Sequence, residues 1–403
     1  MNYFIGKGIT NDYYKDCLNK KMFLPFLFSL ISLSIAFESE DNIYLRRDKR
    51  TIEIKHNFNY SNPMNYFIGK GITNDEAIKK ALLHLEHYTC LHFKESDSEL
   101  KNDGINFEFG NELSVSGEKY KDKLSFVYLT KDCMENIGCM KHMLGHIFGL
   151  NHETARYDRY KYVKIYWDRI DNKSKSTFQR DNGYNTRIFN TAFDYGSIMM
   201  PPLRYGTKNN QKAYETLESP YYENMVGQRE EYSHNDLKKI NDVYCGGLCV
   251  RKAKNCKHGS YPSPDCGVCN CPLGYAGKTC TALASSFGNC GHTSLSATRK
   301  VKTLVLKGHV KCIIAINSKA GTNVAITVKS MKTDKFSPCV EGRGLEVKYR
   351  HDKGATGLCL CGSYKNVPIP PTFSAALVMF HGNKDDHELH LTYQEVKRKK
   401  IKY

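Results

Sequence analysis

The spacing of apolar residues predicts strands and two helices in the first part of the chain. Alternation or short apolar runs predict three strands, at residues 52–55, 104–109 and 124–129. A helix is predicted over residues 77–87, after a start signal at Asn74, because four apolar residues recur there at helical spacing: Ile78, Ala81, Leu82 and Leu85. A second amphipathic helix is predicted to end at Cys245, after a long and mostly irregular stretch.

The pattern changes after residue 246. Six cysteines fall within residues 247–281, a short segment that contains Gly and Pro and is too small to build an adequate core without disulfides. Beyond Cys290, short apolar runs alternate with turns, which predicts a β-sandwich up to residue 396. The runs are residues 301–306, 310–316, 324–328, 375–380 and 389–393.

Composition favours an exported protein with disulfides. The chain has 403 residues, which suggests two to four domains, and 16 of them are Cys. The net charge of +17 is interpreted as scattered, solvated lysines; the alternative is attraction to acidic matrix polysaccharide. Its one cluster is the basic tail, residues 397–403. No nucleic-acid motif accompanies the charge, so no nucleic-acid partner is expected.

The N-terminal residues read as a leader for secretion. Residues 1–12 recur at 64–75, so either a piece of coding sequence was duplicated or the start is predicted too early. The second explanation is favoured, with Met22 as the true start, and it raises the hypothesis that Met1–Lys21 and also Met143 are errors of gene prediction. The apolar run 23–37 has the length of a signal peptide, so residues 1–36 are interpreted as a leader. Residues 37–50 would be a short propeptide that ends at a basic processing site. No later stretch is predicted to cross a membrane, so the protein is expected to be extracellular.

Three histidines carry the strongest chemical signal. His142, His146 and His152 form the pattern H-x-x-x-H-x-x-G-x-x-H, and the first two lie on one helical face with Cβ atoms roughly 5–6 Å apart. Gly149 permits a backbone conformation that lets the chain leave the helix and return with the third histidine. Three protein ligands with an open fourth position are typical of catalytic zinc, so one Zn²⁺ is predicted here.

One residue in this motif does not suit catalysis. In the metzincin pattern the residue after the first His is a Glu, which serves as general base and acid. Met143 occupies that position, and a thioether cannot accept the proton. No residue of the chain is therefore assigned as catalytic with certainty.

The family becomes recognisable in the residues that follow. Residues 152–159, His-Glu-Thr-Ala-Arg-Tyr-Asp-Arg, resemble the continuation of the motif in astacin-family zinc endopeptidases, in particular the nematode type. Residues 195–199 resemble the family's Met-turn, and the resemblance implies that Met199 lies beneath the metal. It also implies that Glu153 helps to hold the buried N-terminus of the matured enzyme. The His and Tyr that follow the Met in the family, the Tyr being a zinc ligand there, are replaced by Met200 and Pro201.

The resemblance implies a multidomain fold class. Residues 51–246 would be an α+β metzincin domain, 247–281 an EGF-like module and 290–396 a CUB β-sandwich. The implied disulfides are Cys90–Cys245, Cys133–Cys139, Cys249–Cys266, Cys256–Cys269, Cys271–Cys280, Cys290–Cys312 and Cys339–Cys361. Cys359 is an alternative partner for Cys339, so one cysteine is expected to be free or bonded to another chain. A zinc ribbon at Cys266 and Cys269 is a less favoured reading of the small module.

Three functions are compatible with these residues. The first is an active secreted zinc endopeptidase. The second is a zinc-binding relative without activity, which binds extracellular proteins or peptides through its cleft, EGF and CUB modules. The third is an adhesion module in which zinc serves only stability. The sequence favours a relative of the metalloendopeptidases in which peptide hydrolysis is weak or absent. Asn59 and Asn172 have the sequence form of glycosylation acceptors.

Overall fold

The computed structural model describes residues 50–53, 61–116, 123–182, 186–249 and 255–398. The predicted leader, nearly all of the short propeptide, the acceptor Asn59 and the end of the basic tail lie outside these residues. The other acceptor, Asn172, is exposed. Within the described ranges, no helix combines the length and the apolar character that crossing a membrane requires.

A five-stranded sheet and a helix form the upper half of the first domain. The sheet has the order β3-β2-β4-β6-β5, with only β5 antiparallel to its neighbour. Helix α1 (Asp75–Tyr88) begins at the N-cap Asn74, whose side chain accepts a hydrogen bond from the amide of Ala77. Its four predicted apolar residues are buried. The strands are β2 (Met64–Ile68), β3 (Phe93–Glu95), β4 (Asp103–Phe109), β5 (Ser114–Ser116) and β6 (Lys123–Leu129).

The lower half is mostly irregular, as predicted. Its strands form two short pairs: β1 (Arg50–Glu53) with β8 (Thr186–Arg187), and β7 (Val163–Ile165) with β9 (Tyr214–Thr216). The helices of the domain, besides α1 and short 3-10 turns, are α2 (Lys131–Met134), α3 (Ile137–Ile147) and α4 (His234–Tyr244). Helix α4 begins with a capping box, in which Ser233 and Asp236 each accept the other's backbone amide.

The described residues of the small module form two hairpin-like pairs and three disulfides. Its strands are β10 (Tyr261–Pro262), β11 (Cys269–Asn270), β12 (Tyr275–Ala276) and β13 (Ala282–Leu283). Across the described residues there are seven disulfides, and they join the same cysteines as the family resemblance implies. The structure pairs Cys339 with Cys361 and leaves Cys359 as a buried thiol.

The last domain is a sandwich of two sheets, in the orders β14-β16-β21-β18-β19 and β15-β22-β17-β20. Each of the five predicted apolar runs overlaps one of its strands. The strands are β14 (Ser294–Ser296), β15 (Lys302–Lys307), β16 (Val310–Asn317), β17 (Thr322–Lys332), β18 (Leu345–Lys348), β19 (Leu358–Leu360), β20 (Ser363–Ile369), β21 (Ala375–Gly382) and β22 (Glu388–Lys397).

The sandwich and the lower half of the first domain share a hydrophobic core. One continuous cluster of buried side chains joins residues such as Phe193 and Tyr195 to sandwich residues such as Val347 and Tyr349. A second cluster fills the upper half between the sheet and the helices α1 and α3. The predicted fold class, an α+β domain followed by a disulfide-rich module and a β-sandwich, is confirmed.

Candidate metal centre

Helix α3 and the turn after it bring the three histidines together. The side chain of Asn136 caps the helix by accepting hydrogen bonds from the amides of Gly138 and Cys139. The chain leaves the helix at Gly149, whose φ of 86° lies in the left-handed region that favours glycine. The amide of Leu150 then bonds to the carbonyl of Gly145, and this closed turn precedes His152.

The three imidazoles are arranged as a set of metal ligands. The candidate ligand atoms of His142, His146 and His152 all lie within 4.8 Å of one another. Nδ1 of His142 lies 3.0 Å from the carbonyl oxygen of Ile198, and Nδ1 of His146 lies 3.0 Å from that of Leu150. Because a carbonyl accepts only from a protonated nitrogen, both rings offer a lone pair at Nε2. Burial also lowers the pKa of His142, which keeps that ring neutral, the form that binds metals.

Met143 belongs to the apolar core. Its side chain is 5% exposed and lies in the cluster that also contains Met140, Leu144 and Met199. The position that the metzincin motif gives to a general base is therefore filled by a buried thioether.

The Met-turn lies directly beneath helix α3. A Cβ at Gly145 would come within 2.7 Å of the sulfur of Met199, so the thioether contacts the helix between the first two histidines. Met199 is buried, as are Met200 and Pro201 in the positions of the family's His and Tyr. The carbonyl of Pro201 accepts a hydrogen bond from the hydroxyl of Tyr214, at 2.6 Å.

Helix α4 and one arginine fix the backbone of this turn. Asp236 accepts hydrogen bonds from the hydroxyl of Ser197 at 2.7 Å and from the amide of Ile198 at 3.0 Å. The guanidinium of Arg229 donates to the carbonyls of Ile198 and Met200, at 2.9 and 3.1 Å. The carbonyl of Ile198 therefore accepts from both Arg229 and His142, which connects the turn to the first ligand.

Glu153 is buried within a network of charges. One carboxylate oxygen lies 2.9 Å from the ammonium of Lys239, and the other accepts from Arg156 at 2.9 Å and from the amide of Asp194 at 3.0 Å. Burial alone would raise the pKa of Glu153, but the charges of Lys239 and Arg156 hold it below its ordinary value. One cation on this carboxylate is thus Lys239, a residue of helix α4.

Arg156, Asp158 and Arg159 brace the loop after the third histidine. Arg156 makes a bidentate pair with Asp158, at 2.9 and 3.0 Å, and also donates to the carbonyls of Thr191 and Ala192. Arg159 donates to the carbonyls of Thr154 and Phe178. These contacts give the three residues a structural role.

Several residues of the centre were not identified from the sequence. Asp236 was predictable as part of a helix start, but its bonds to the Met-turn join residues 38 and 39 positions apart. Arg229 and Lys239 carry no local signal, since both lie in polar stretches that resemble ordinary surface. Asp194 is also fully buried, and burial beside Asp236 and Glu153 raises its pKa to about 6.

Comparison with known proteins identifies the first domain. A family model described as Astacin, a peptidase family, matches residues 52–245. The chain contains an astacin domain. This domain includes the histidine triad and the Met-turn, and the family implies zinc as the metal that the triad holds.

The curated proteins that this chain resembles include nematode enzymes. Zinc metalloproteinase nas-34 of Caenorhabditis elegans is 27% identical over 360 residues, a match that covers 88% of this chain and 59% of the relative. Zinc metalloproteinase dpy-31 of Brugia malayi is 32% identical over 231 residues, which covers 55% of this chain and 37% of the relative. The chain therefore spans less than two thirds of the length of these relatives.

Solved structures are more distant. High choriolytic enzyme 1, a hatching enzyme zinc-protease from the medaka fish Oryzias latipes, is 24% identical with a TM-score of 0.42, and covers 48% of this chain and 98% of that chain. The CUB1-EGF-CUB2 region of human MASP-1/3 is 16% identical with a TM-score of 0.21, and covers 37% of this chain and 57% of that chain.

Proposed function

We propose that this protein is a secreted astacin-domain protein that binds one zinc ion and hydrolyses peptide bonds weakly or not at all. The observation that carries the proposal is the combination of an intact histidine triad with a buried Met143 beside it. By ancestry the domain is a metalloendopeptidase, and the triad, the glycine turn and the Met-turn methionine are all retained.

The residues present fit a zinc ion. His142, His146 and His152 would hold it, since two of the rings donate from Nδ1 to backbone carbonyls and all three offer nitrogen ligands, which zinc prefers. Bound zinc would supply Lewis acidity at an open coordination position. The chain's own contribution is to orient the rings and to keep His142 neutral.

The proposed loss of activity follows from two replacements. A general acid–base group typically contributes about 10²–10⁴-fold to a rate, and Met143 cannot provide one. Pro201, in the position of the family's Tyr, has no hydroxyl with which to support a transition state. Either change alone would weaken hydrolysis, and together they favour a very slow enzyme.

An extracellular location and protein ligands are part of the same proposal. Seven disulfides within the described residues are typical of an oxidising compartment, and the acceptor Asn172 is exposed. We assign residues 51–246 to the astacin domain, 247–281 to an EGF-like module and 290–396 to a CUB domain. The alternative function is a zinc-binding pseudoprotease that binds extracellular proteins or peptides through these modules.

Cleavage of a broad quenched-peptide library tests the proposal. The zinc-loaded protein would be compared with Met143→Glu, which restores a carboxylate, and with Met143→Gln, which has nearly the same shape but cannot act as a base. We expect cleavage by the Glu variant only, at a rate that zinc chelation abolishes.

The other outcomes are also decisive. Zinc-dependent turnover by the native protein would overturn the proposed inactivity and would require another group as base. Cleavage by none of the three proteins would place the defect at Pro201 as well and would support the alternative of a binding module.

A further inference from the structure

A loop of the sandwich domain packs against the irregular segment that leads into the Met-turn. This loop, residues 349–357, connects β18 to β19 and is called the sandwich loop below. Its contacts include residues 192–196, the first part of the Met-turn segment, residues 192–200. The two lie more than 150 positions apart in the sequence and belong to different domains. Asp352 of the loop also accepts a hydrogen bond from the side chain of Asn235 in helix α4, at 3.0 Å.

Hydrogen bonds join the two segments along their length. Asp352 accepts from the amide of Ala192 at 2.8 Å, and Asp194 accepts from the amide of Thr356 at 3.2 Å. The buried guanidinium of Arg350 donates to the carbonyl of Phe193. Each of three consecutive residues of the Met-turn segment is therefore bonded to the sandwich loop.

The segments are also in close steric contact. A Cβ at Gly196 would lie 2.5–2.7 Å from three side-chain atoms of Thr356. Gly196 thus leaves room for the threonine side chain, and no other residue type fits there without a shift of one segment. On the same side, the ring of Tyr195 lies 5.9 Å from the guanidinium of Arg350.

The Met-turn segment in turn bonds to the first histidine and to the residue that follows the third. The carbonyl of Ile198 accepts from Nδ1 of His142 at 3.0 Å, and the carbonyl of Met199 accepts from the amide of Glu153 at 3.1 Å. The carboxylate of Glu153, the residue after His152, also accepts from the amide of Asp194. A shift of the Met-turn segment would therefore move Ile198, whose carbonyl bonds to His142, and Glu153, the residue next to His152.

We propose that the sandwich loop is a structural part of the metal centre, so that zinc affinity depends on a contact made by the last domain. Thr356, Arg350 and Asp352 are positioning residues, which act on the histidines through residues 192–199. The inference rests on the proposed zinc binding. Loss of an outer-shell partner typically weakens metal affinity about 10–100-fold, which sets the expected size of the effect.

A steric substitution with its own rescue tests this inference. Gly196→Ala should displace the Met-turn segment, and Gly196→Ala combined with Thr356→Gly should restore its position, since the three atoms nearest to the new Cβ are removed. Zinc affinity would be measured by chelator competition on the full chain, and the visible absorption of bound Co²⁺ would report the ligand geometry. We expect about 10-fold weaker binding and an altered Co²⁺ spectrum for Gly196→Ala, with both recovered in the double variant.

Two further variants complete the design. Arg343→Gln removes an exposed ion pair with Glu230 between the same two domains, and we expect it to bind zinc like the native protein. Asp352→Asn weakens the acceptor for Ala192 without adding volume, and it decides the question if Gly196→Ala does not fold; we expect a several-fold loss of affinity.

The outcomes separate the two proposals. If the native protein binds zinc and both Gly196→Ala and Asp352→Asn bind it equally well, this inference is wrong and zinc binding stands. Loss of binding in Gly196→Ala that the double variant does not recover also overturns it. A native protein that binds neither ion overturns the proposed function together with the inference.

Discussion

The ammonium of Lys239 lies 2.9 Å from a carboxylate oxygen of Glu153, and both side chains are buried. Helix α4 thereby supplies a cation to the residue that directly follows the third histidine. The resemblance implies that a matured N-terminus does this elsewhere in the family. Here the charge of Glu153 is compensated by a residue of the same folded domain, together with Arg156.

Removing this lysine is expected to destabilise the protein. Lys239→Met leaves part of the Glu153 charge unpaired in a buried site, with an expected loss of unfolding free energy on the order of 3 kcal/mol. Urea unfolding measures it. The double variant with Glu153→Gln should recover part of the loss, and additive effects of the two changes would contradict a direct interaction.

The same ion pair predicts a loss of stability in acid. The pKa of Glu153 is lower in the folded protein than in the unfolded chain. The ionised carboxylate therefore stabilises the fold fully at pH values above its unfolded pKa, and this stabilisation disappears as the pH falls through its folded pKa. Unfolding free energies between pH 6 and pH 3 should fall less steeply in Glu153→Gln than in the native protein. Equal slopes would show that the carboxylate does not contribute.

Lys353 predicts a pH dependence in the opposite range. Burial beside Lys348 and Arg350 lowers the pKa of Lys353 to about 7, below its value in the unfolded chain. At pH values between the folded and the unfolded pKa of Lys353, the unfolded state binds more protons than the folded state. The contribution of Lys353 to the unfolding free energy therefore rises with pH, by at most about 1.4 kcal/mol per pH unit. Urea unfolding from pH 7 to 10 should show a smaller rise for Lys353→Met, while Lys300→Met, at an exposed position, should match the native curve.

Restoring a carboxylate at position 143 is expected to reduce stability. The Met143 side chain lies in an apolar cluster, and an ionised group placed there without a partner is disfavoured, by roughly 1–3 kcal/mol or more. At pH 7.5, the unfolding free energy of Met143→Glu should be lower than that of Met143→Gln. Because burial raises a carboxyl pKa, this deficit should shrink as the pH falls to 5. A deficit that does not change with pH would show that the new side chain reaches solvent.

The unpaired thiol is expected to be inert in the folded protein. Cys359 is fully buried, and burial raises the pKa of its thiol, so little thiolate forms. Alkylation followed by mass spectrometry should label it slowly in native buffer and rapidly in urea, with the seven disulfides left oxidised. Fast labelling of the native protein, or a disulfide-linked dimer on a non-reducing gel, would contradict this.

The features that could be predicted from the sequence are those determined by residues close together in the chain. The histidine triad lies within 11 residues, and the ring positions follow from helical spacing and a glycine turn. Helix α1 follows from periodicity and from its cap at Asn74. Around the end of β19 the sequence does not decide which cysteine pairs with Cys339. Cys359 and Cys361 are two positions apart and therefore point to the same side of an extended chain.

The contacts that support the metal centre could not be predicted, because they join residues far apart in the sequence. Thr356 and Asp194 are 162 positions apart, and Lys239 and Glu153 are 86 apart. In the sequence, Thr356 is an ordinary threonine, and Asp194 and Lys239 are ordinary charged residues. Only tertiary packing gives them a role, either between the two domains or between helix α4 and the loop after His152, and no spacing rule encodes that packing.

The continuous core between the lower half of the astacin domain and the sandwich affects how the chain can be divided. A fragment that ends near residue 246 would leave Phe193, Tyr195 and Tyr222 without the apolar side chains that cover them. Such a fragment is expected to aggregate on expression. The two domains should instead melt in a single calorimetric transition, so the smallest autonomous folding unit extends into the last strand of the sandwich.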